Sequence, residues 1–265
     1  MKKPLLTVIF LSAFIALGCQ QKTPKLVWSD EFDNAGTLNP DKWTAYVGDG
    51  CPGICGFGNN ELQYYTDVPE NVLVEDGKLI ITAQKDSMMN SAYTSAKVIS
   101  KGKGDFKYGR IEVMAKLPVG LGTWPAIWML PTNKSEFGWP KSGEIDIMEH
   151  VGYNQGMVYG TVHTESFNHI KGTQKGDSIL VATASSQFHE YAIEWTDKKI
   201  DWFLDGEKYH TFDNTGNGID AWPFDQPFYL IFNIAVGGNW GGKFGVNDEI
   251  WPQTLQIDYV RIYEF

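Results

Sequence analysis

The segment RIEVMAKL, residues 110–117, alternates between apolar and polar positions. Ile111, Val113, Ala115 and Leu117 fall on one face, because successive side chains of a strand point to opposite sides. The segment therefore predicts a strand with one core-facing side. Further runs of this kind are bounded by Asp, Gly, Asn and Pro: FHEYAIEW (188–195), KIDWFLDG (199–206), PFYLIFNIAV (227–236) and LQIDYVRIY (255–263).

Turn residues separate these runs. Hairpin turns are predicted at Asp197-Lys198 and Asp205-Gly206, between strands short enough to pair directly. The chain has 28 glycines, and it contains no internal repeat and no long stretch with a helical period. These features predict a single all-β sandwich or barrel.

Composition narrows the class of function. The 265 residues are 43% hydrophobic with a formal net charge of -10, which fits one large domain with a substantial core. An acidic surface repels phosphate backbones, so nucleic acid is excluded as a partner. We expect a monomer.

The N-terminus has the organisation of a secretory signal. Residues 1–18 combine two lysines, an apolar stretch and a small residue before Cys19, and the stretch is too short to span a bilayer. Cys19 after IALG resembles a bacterial lipobox, which predicts lipidation; the alternative is a plain secretory signal. The expected layout is a signal peptide over 1–18, a lipid-anchored tether over 19–25 and one domain over 26–265, held in the bacterial cell envelope.

The two remaining cysteines, Cys51 and Cys55, lie in the loop segment CPGIC. An even pair in an oxidising compartment favours a disulfide. A zinc site is the alternative, but it would need two further ligands, and no paired histidines or CxxC motif supply them.

The segment GEIDIMEH, residues 143–150, carries three acids at uneven spacing. Glu144 and Asp146 share one face of a strand, whereas Glu149 should point to the other. A single β-bulge between Asp146 and Glu149 would bring all three to one face. Two carboxylates on one face suit glycoside hydrolysis, with one as nucleophile and one as acid. A solvated strand face with scattered acids is the alternative.

Aromatic residues surround this segment in the sequence. Trp124 and Trp128 in GTWPAIWML are four positions apart, so both indoles can lie on the face that carries the acids. Flat aromatic rings bind the apolar faces of sugars, and amides between them bind hydroxyl groups. Asn60, Asn233 and Trp240 stand in polar or glycine-rich segments typical of a cleft rim. Burial in a sandwich core is the alternative for any one tryptophan.

An ordered set of segments resembles glycoside hydrolase family 16 over nearly the whole mature chain. The segments are LVWSDEFD, NNELQYYT, DGKLIITA, YGRIEVMAKLP, GTWPAIWMLP, WPKSGEIDIMEHVG, GTVHT, FHEYAIEW, FNIAVGGNW and IDYVRIY. Within the family the chain is most similar to bacterial laminarinases, which are endo-β-1,3-glucanases. The resemblance implies a β-jelly-roll sandwich of two antiparallel sheets, with a substrate cleft across the concave sheet and a bulge in the ExDxxE strand.

The resemblance also implies roles for individual positions. Glu144 matches the nucleophile, Asp146 its helper and Glu149 the general acid/base of a retaining mechanism. The positions that match residues binding glucosyl units are Asn60, Arg110, Trp124, Trp128, His163 and Trp240; His163 has a structural role as its alternative. No cofactor is expected for catalysis.

Many members of the family hold a structural calcium ion. Its ligands would be a carboxylate or carbonyl near Glu31, the carbonyl of Gly77 and the side chain of Asp258, which are the hard oxygen donors that calcium prefers.

Two other functions remain at this point. A catalytically inactive laminarin-binding protein would keep the aromatic residues and lose a glutamate, whereas both glutamates are present here. A sister specificity for mixed-linkage glucan, agar or carrageenan would keep the acids and change the aromatic platform. The segments NNELQYYT and GTWPAIWML favour plain β-1,3-glucan.

Overall fold

The computed structural model describes residues 24–133 and 137–265. The predicted signal peptide and Cys19 lie outside the described residues. The strands are β1 (Lys25–Asp30), β2 (Thr44–Tyr46), β3 (Gln63–Tyr65), β4 (Val72–Glu75), β5 (Lys78–Ala83), β6 (Tyr93–Ser95), β7 (Lys97–Ile99), β8 (Asp105–Phe106), β9 (Gly109–Lys116), β10 (Thr123–Pro131), β11 (Glu144–His150), β12 (Met157–His163), β13 (Lys175–Leu180), β14 (His189–Trp195), β15 (Lys199–Leu204), β16 (Glu207–Asp213), β17 (Phe228–Val236) and β18 (Gln253–Glu264). Two short 3₁₀ turns occur at Cys55–Gly58 and Gly152–Asn154.

The strands form two large antiparallel sheets of eight strands each. Sheet A has the order β16-β15-β14-β9-β18-β5-β4, and β1 also pairs with β18. Sheet B has the order β13-β12-β11-β10-β17-β7-β2, and β8 also pairs with β17. A small parallel pair, β3 with β6, stands apart from both. Most neighbours in each sheet are distant in sequence, as expected for a jelly roll and not for a meander.

The core lies between the two sheets. Strand β9 shows why: Ile111, Val113 and Ala115 are fully buried, while the alternate side chains are only partly covered. The period-two pattern of RIEVMAKL thus marks the inner face of sheet A, as predicted. In sheet B, β17 is buried along its whole length, and its second face packs in a small cluster of Leu130, Tyr229 and Ile231 with Trp128. The outer face of sheet B therefore has an apolar floor.

The sequence predictions of the fold are confirmed with one adjustment. Both predicted turns connect paired strands, β14 with β15 and β15 with β16. Strand β1 begins at Lys25, which pairs with Glu264, one residue before the start of the predicted domain. Across the described ranges, no helix has the length and apolar character needed to cross a membrane.

Candidate active site

The bulge predicted in GEIDIMEH is present in β11. Against β12, Asp146 pairs with Thr161 and Glu149 pairs with Tyr159, so three steps on β11 match two on its neighbour. The register against β10 shifts at the same place. The extra residue belongs to the Ile147-Met148 pair, and both of these side chains are buried in the core. The bulge therefore returns Glu149 to the face that holds Glu144 and Asp146.

Glu149 has the properties of a proton donor. Trp124 on the neighbouring strand β10 donates a hydrogen bond from Nε1 to Oε1 of Glu149 over 3.0 Å. Burial raises the pKa of Glu149 to about 7, and the hydrogen bond from Trp124 opposes that rise. A carboxyl group with this pKa holds its proton at mildly acidic pH, as a general acid must.

Asp146 is the most enclosed of the three acids, with 2% of its surface exposed. Burial, followed by the charges of Glu144 and Glu149, raises the pKa of Asp146 well above its usual range. The indole Nε1 of Trp202, from the core, donates to the Asp146 backbone carbonyl over 2.8 Å and holds β11 at the bulge. The surroundings of Asp146 therefore favour its neutral, protonated form between the two glutamates.

Glu144 begins β11 and is held by a tryptophan from outside the sheet. Trp139 Nε1 donates to Glu144 Oε2 over 3.1 Å, and 37% of the Trp139 surface remains exposed. Such a bond stabilises a negatively charged oxygen and sets its direction. A nucleophilic carboxylate needs both.

His163 lies directly opposite Glu144, on β12. Its Nε2 is 3.9 Å from Glu144 Oε1 and 3.5 Å from Asp146 Oδ2. Burial, with a smaller contribution from His169, lowers the pKa of His163 to about 4, so the imidazole is neutral at neutral pH. His163 thus stands beside the reacting carboxylates and not in a remote structural position.

The predicted aromatic platform lies next to the acids. Trp128 donates to Asn233 Oδ1 over 2.7 Å, and Asn233 in turn donates to the hydroxyl of Tyr65 over 3.0 Å. Trp240 packs edge-to-face on Trp124, with ring centroids 5.6 Å apart. Three predicted sugar-binding tryptophans and an amide therefore adjoin Glu149 and Asp146 along β10 and its neighbours.

The rim beyond Trp124 is built from two loops. Asn60 donates to Asn239 Oδ1 over 2.8 Å, which joins the NNELQYYT segment to the glycine-rich segment after β17. Gly241 approaches Trp124 so closely that an added Cβ would lie 2.7 Å from the Trp124 Cβ. This close approach explains why the segment needs glycine.

The prediction that Arg110 binds sugar is wrong. Arg110 lies on β9 of sheet A, and its guanidinium group pairs with Glu112, Glu190 and Glu194 at 2.6, 2.9 and 3.3 Å. In an antiparallel sandwich the polar face of a sheet A strand points away from sheet B, where Glu144 lies. Arg110 therefore lies on the outer surface of sheet A, on the opposite side of the sandwich from the acids.

The predicted disulfide between Cys51 and Cys55 is present. It closes the loop that leads into the Asn60 segment. Phe57, just after the bridge, packs on Tyr65 with ring centroids 5.2 Å apart. The disulfide loop is thereby connected to the Tyr65-Asn233-Trp128 chain of hydrogen bonds.

The predicted calcium ligands lie next to strands that pair with β18 in sheet A. β1 and β5 share the same edge of β18, with Asp30 opposite Val260 and Leu79 opposite Ile257. In sequence, Glu31 follows Asp30, Gly77 precedes β5 and Asp258 follows Ile257. The fit is partial, because the Glu31 carboxylate accepts two hydrogen bonds from Arg261, at 2.9 and 2.8 Å. Only a carbonyl near Glu31 is left to serve as a ligand there.

Two residues of the site were missed by the sequence analysis. Trp139 lies in a loop before β11, so the alternation of side chains in a strand gave no reason to place it near Glu144. The Trp-Pro pair just ahead of the acids was the sequence feature that could have indicated this contact. His169 lies in the loop after β12 and packs on Trp139, with ring centroids 5.1 Å apart. No sequence pattern indicated that contact.

A protonated carboxyl, a directed carboxylate and flat indoles on one sheet face are the components of glycoside hydrolysis. The fold and the site together define a jelly-roll glycoside hydrolase. The sequence model of glycosyl hydrolases family 16 matches residues 59–261, and the chain belongs to this family.

Individual relatives agree with this assignment. The chain is 50% identical to a beta-glucanase of Rhodothermus marinus, over 98% of this chain and 93% of that protein. The solved laminarinase of Rhodothermus marinus superimposes with a TM-score of 0.87 at 51% identity, covering 91% of this chain and 98% of the other. SCLam, a non-specific endo-β-1,3(4)-glucanase, superimposes with a TM-score of 0.85 at 44% identity, covering 91% of each chain.

Proposed function

We propose that this protein is a retaining endo-β-1,3-glucanase that cleaves internal bonds of laminarin-type glucans. The observation that carries the proposal is the bulge in β11, which brings Glu144 and Glu149 to one face of the sheet. Their surroundings suit the two residues to different roles. Glu149 keeps a proton because it is desolvated, and Glu144 is directed by Trp139. In these surroundings Glu149 can act as the general acid and Glu144 as the nucleophile.

The reaction proceeds in two displacements. Glu144 attacks the anomeric carbon while Glu149 protonates the departing glycosidic oxygen, which leaves a glycosyl-enzyme ester and a free reducing-end fragment. Glu149, now ionised, takes a proton from water, and the resulting hydroxide displaces Glu144 with the original configuration restored. Asp146 lies between the two glutamates, and burial, followed by the charges of Glu144 and Glu149, raises its pKa.

The aromatic floor favours binding of glucosyl units. Trp124 and Trp128 offer indole faces, and the Asn233 and Asn60 amides lie where hydroxyl groups would be recognised. Binding without turnover is disfavoured, because a pure binding protein has no need of a carboxyl group held at a pKa of about 7.

Product analysis tests the proposal. The enzyme is incubated with laminarin, curdlan, lichenan, agarose and carrageenan, and early products are followed by proton NMR. We expect internal cleavage of laminarin, with the β-anomer at new reducing ends before mutarotation. Early α-anomers would refute retention, and turnover of a galactan in place of laminarin would refute the substrate class.

The mixed-linkage specificity of a related enzyme makes lichenan the informative comparison. A lichenan rate close to the laminarin rate would extend the proposed specificity to β-1,3(4)-glucans. A much lower lichenan rate would restrict it to β-1,3 linkages.

A variant separates binding from catalysis. Glu144→Ser should abolish hydrolysis and leave laminarin binding intact, because the tryptophans that bind sugar are unchanged. Loss of both properties would indicate a folding defect.

We also propose the setting of the enzyme. The N-terminal sequence supports export and acylation at Cys19, which would hold a monomeric catalytic domain at the bacterial envelope. Mass spectrometry of the mature N-terminus, compared with a Cys19→Ser variant, tests the lipid anchor, and light scattering of the unanchored chain tests the monomer.

A structural calcium ion at the β1-β5-β18 junction completes the proposal. Its support is the pairing of β1 and β5 with the same edge of β18, at strand ends next to Glu31, Gly77 and Asp258. An increase in melting temperature with added calcium, lost in Asp258→Ala, is the expected result.

A further inference from the structure

Glu144, Asp146 and His163 form a compact set of metal-ligating atoms. One ligand atom from each residue lies within 4.8 Å of the other two. His163 Nε2 is 3.5 Å from Asp146 Oδ2 and 3.9 Å from Glu144 Oε1. The imidazole edge thus faces both carboxylates.

A second observation points to a missing ligand at the same place. Asp146 is 2% exposed, and its Oδ2 has no hydrogen-bond partner among the residues described. A buried carboxyl oxygen without a hydrogen-bond partner is costly and is rare in native proteins. This is the oxygen that faces His163 Nε2, so the unsatisfied atom points into the cluster.

The spacing fits a small divalent transition metal ion. Zinc binds imidazole nitrogen and carboxylate oxygen at about 2.0–2.2 Å, so neighbouring ligand atoms of a tetrahedral site lie about 3.4 Å apart. The His163–Asp146 separation of 3.5 Å is close to this value, and the Glu144 carboxylate, whose Oε1 is 3.9 Å from His163 Nε2, would have to move inward to complete the set. Calcium and magnesium prefer six or more oxygen ligands, which this set does not offer.

Two other histidines, His150 and His189, lack such a set of ligands. His150 Nε2 accepts a hydrogen bond from the Gly156 backbone over 3.1 Å in the core. His189 is held by Asp205 at 2.7 Å on the surface, with a single carboxylate beside it. The cluster of Glu144, Asp146 and His163 is the one that combines an imidazole with two carboxylates in the described part of the chain.

We propose that Glu144, Asp146 and His163 form a reversible binding site for Zn²⁺ and similar divalent transition metal ions, and that the bound ion inhibits the enzyme by occupying the nucleophile. Three protein ligands leave a fourth position open to water, as in catalytic zinc sites. With its carboxylate on the metal, Glu144 cannot attack a sugar. The inhibition rests on the proposed glucanase function, whereas binding of the ion does not.

Calorimetry tests the site directly. The chain, prepared without a polyhistidine tag and treated with chelator, is titrated with ZnCl2 as wild type, His163→Ala and His169→Ala. His169 is the matched control, because its ring centroid is 5.2 Å from that of His163 but it is not a member of the cluster. We expect one site in the wild type, weakening by about tenfold or more in His163→Ala, and a change of less than about twofold in His169→Ala.

Two further measurements test the Zn²⁺ site without relying on the His163→Ala variant. Asp146→Asn, which keeps the shape of the side chain, should weaken Zn²⁺ binding by about tenfold as well. Co²⁺ bound to the wild type should give the visible absorption of a four- or five-coordinate ion, and that absorption should disappear when Zn²⁺ is added.

Activity assays test the inhibition. ZnCl2 should reduce wild-type hydrolysis of laminarin at concentrations that follow the calorimetric Kd, EDTA should restore the rate, and CaCl2 should leave it unchanged. Failure to bind Zn²⁺ at about 1 mM, equal loss of binding in His169→Ala and His163→Ala, or full activity of the Zn²⁺-loaded enzyme would each overturn the proposal. A chain that never hydrolyses laminarin would refute the glucanase, and calorimetry would still decide the metal site.

Discussion

The desolvated carboxyl group of Glu149 should destabilise the folded protein at alkaline pH. Burial raises its folded-state pKa from an ordinary 4.5 to about 7. Between these two values the folded chain keeps a proton that the unfolded chain releases, so the free energy of unfolding falls as pH rises through this window. At about 1.4 kcal/mol per pH unit, the loss is complete above pH 7 and amounts to about 3 kcal/mol.

Substitution by glutamine removes this cost. The Glu149→Gln side chain would keep a carbonyl oxygen to accept the Trp124 hydrogen bond, and it has no proton to lose. We therefore expect the variant to be more stable than wild type by up to about 3 kcal/mol at about pH 8, and nearly equal to it at about pH 4, where the wild-type carboxyl group is protonated in both states.

Urea unfolding at the two pH values measures the difference. Glu249→Gln is the control for loss of one negative charge, because Glu249 is exposed, and its effect should stay within about 0.5 kcal/mol at both pH values. An equal gain for Glu149→Gln at both pH values would assign the effect to packing. No gain at about pH 8 would show that Glu149 is not destabilised by burial.

Three further predictions concern the site and its surroundings. Trp124→Phe removes the hydrogen bond that lowers the pKa of Glu149, so the alkaline limb of the kcat/KM pH profile should move upward by about one unit; a downward movement would contradict this assignment. Deletion of Met148 removes the bulge and keeps Glu149 in phase with Asp146, so circular dichroism should show a folded protein, and laminarin assays should show residual activity. Arg110→Met breaks ion pairs on sheet A, so urea unfolding should show a loss of about 2 kcal/mol while kcat/KM stays unchanged.

The β-bulge between Asp146 and Glu149 was predictable from the sequence. Uneven spacing in GEIDIMEH conflicts with strand parity, and one bulge is the smallest change that resolves the conflict. The structure contains this bulge at the predicted place. Alternation of side chains follows from the extended backbone of a strand and needs no tertiary contact, which is why the sequence alone was sufficient here.

The class of fold was also determined by the sequence. Alternation in RIEVMAKL and turn residues such as Asp205-Gly206 depend on local stereochemistry and on burial of one sheet face, and both were confirmed. The Cys51–Cys55 disulfide was predictable for a similar reason, because the two residues are close in sequence.

Only the tertiary structure decided which polar face meets the cleft. Arg110 and Trp124 both lie on alternating strands, but β9 belongs to sheet A and β10 to sheet B, so their outward faces point in opposite directions. Alternation of apolar and polar residues distinguishes the two faces of a strand. It does not show which sheet the strand joins, or whether its polar face lines the cleft. The contacts of Trp139 with Glu144 and of His169 with Trp139 depend in the same way on how loops fold over sheet B. The pKa of Glu149 follows from the protein atoms that surround it, and these come from segments far apart in the chain.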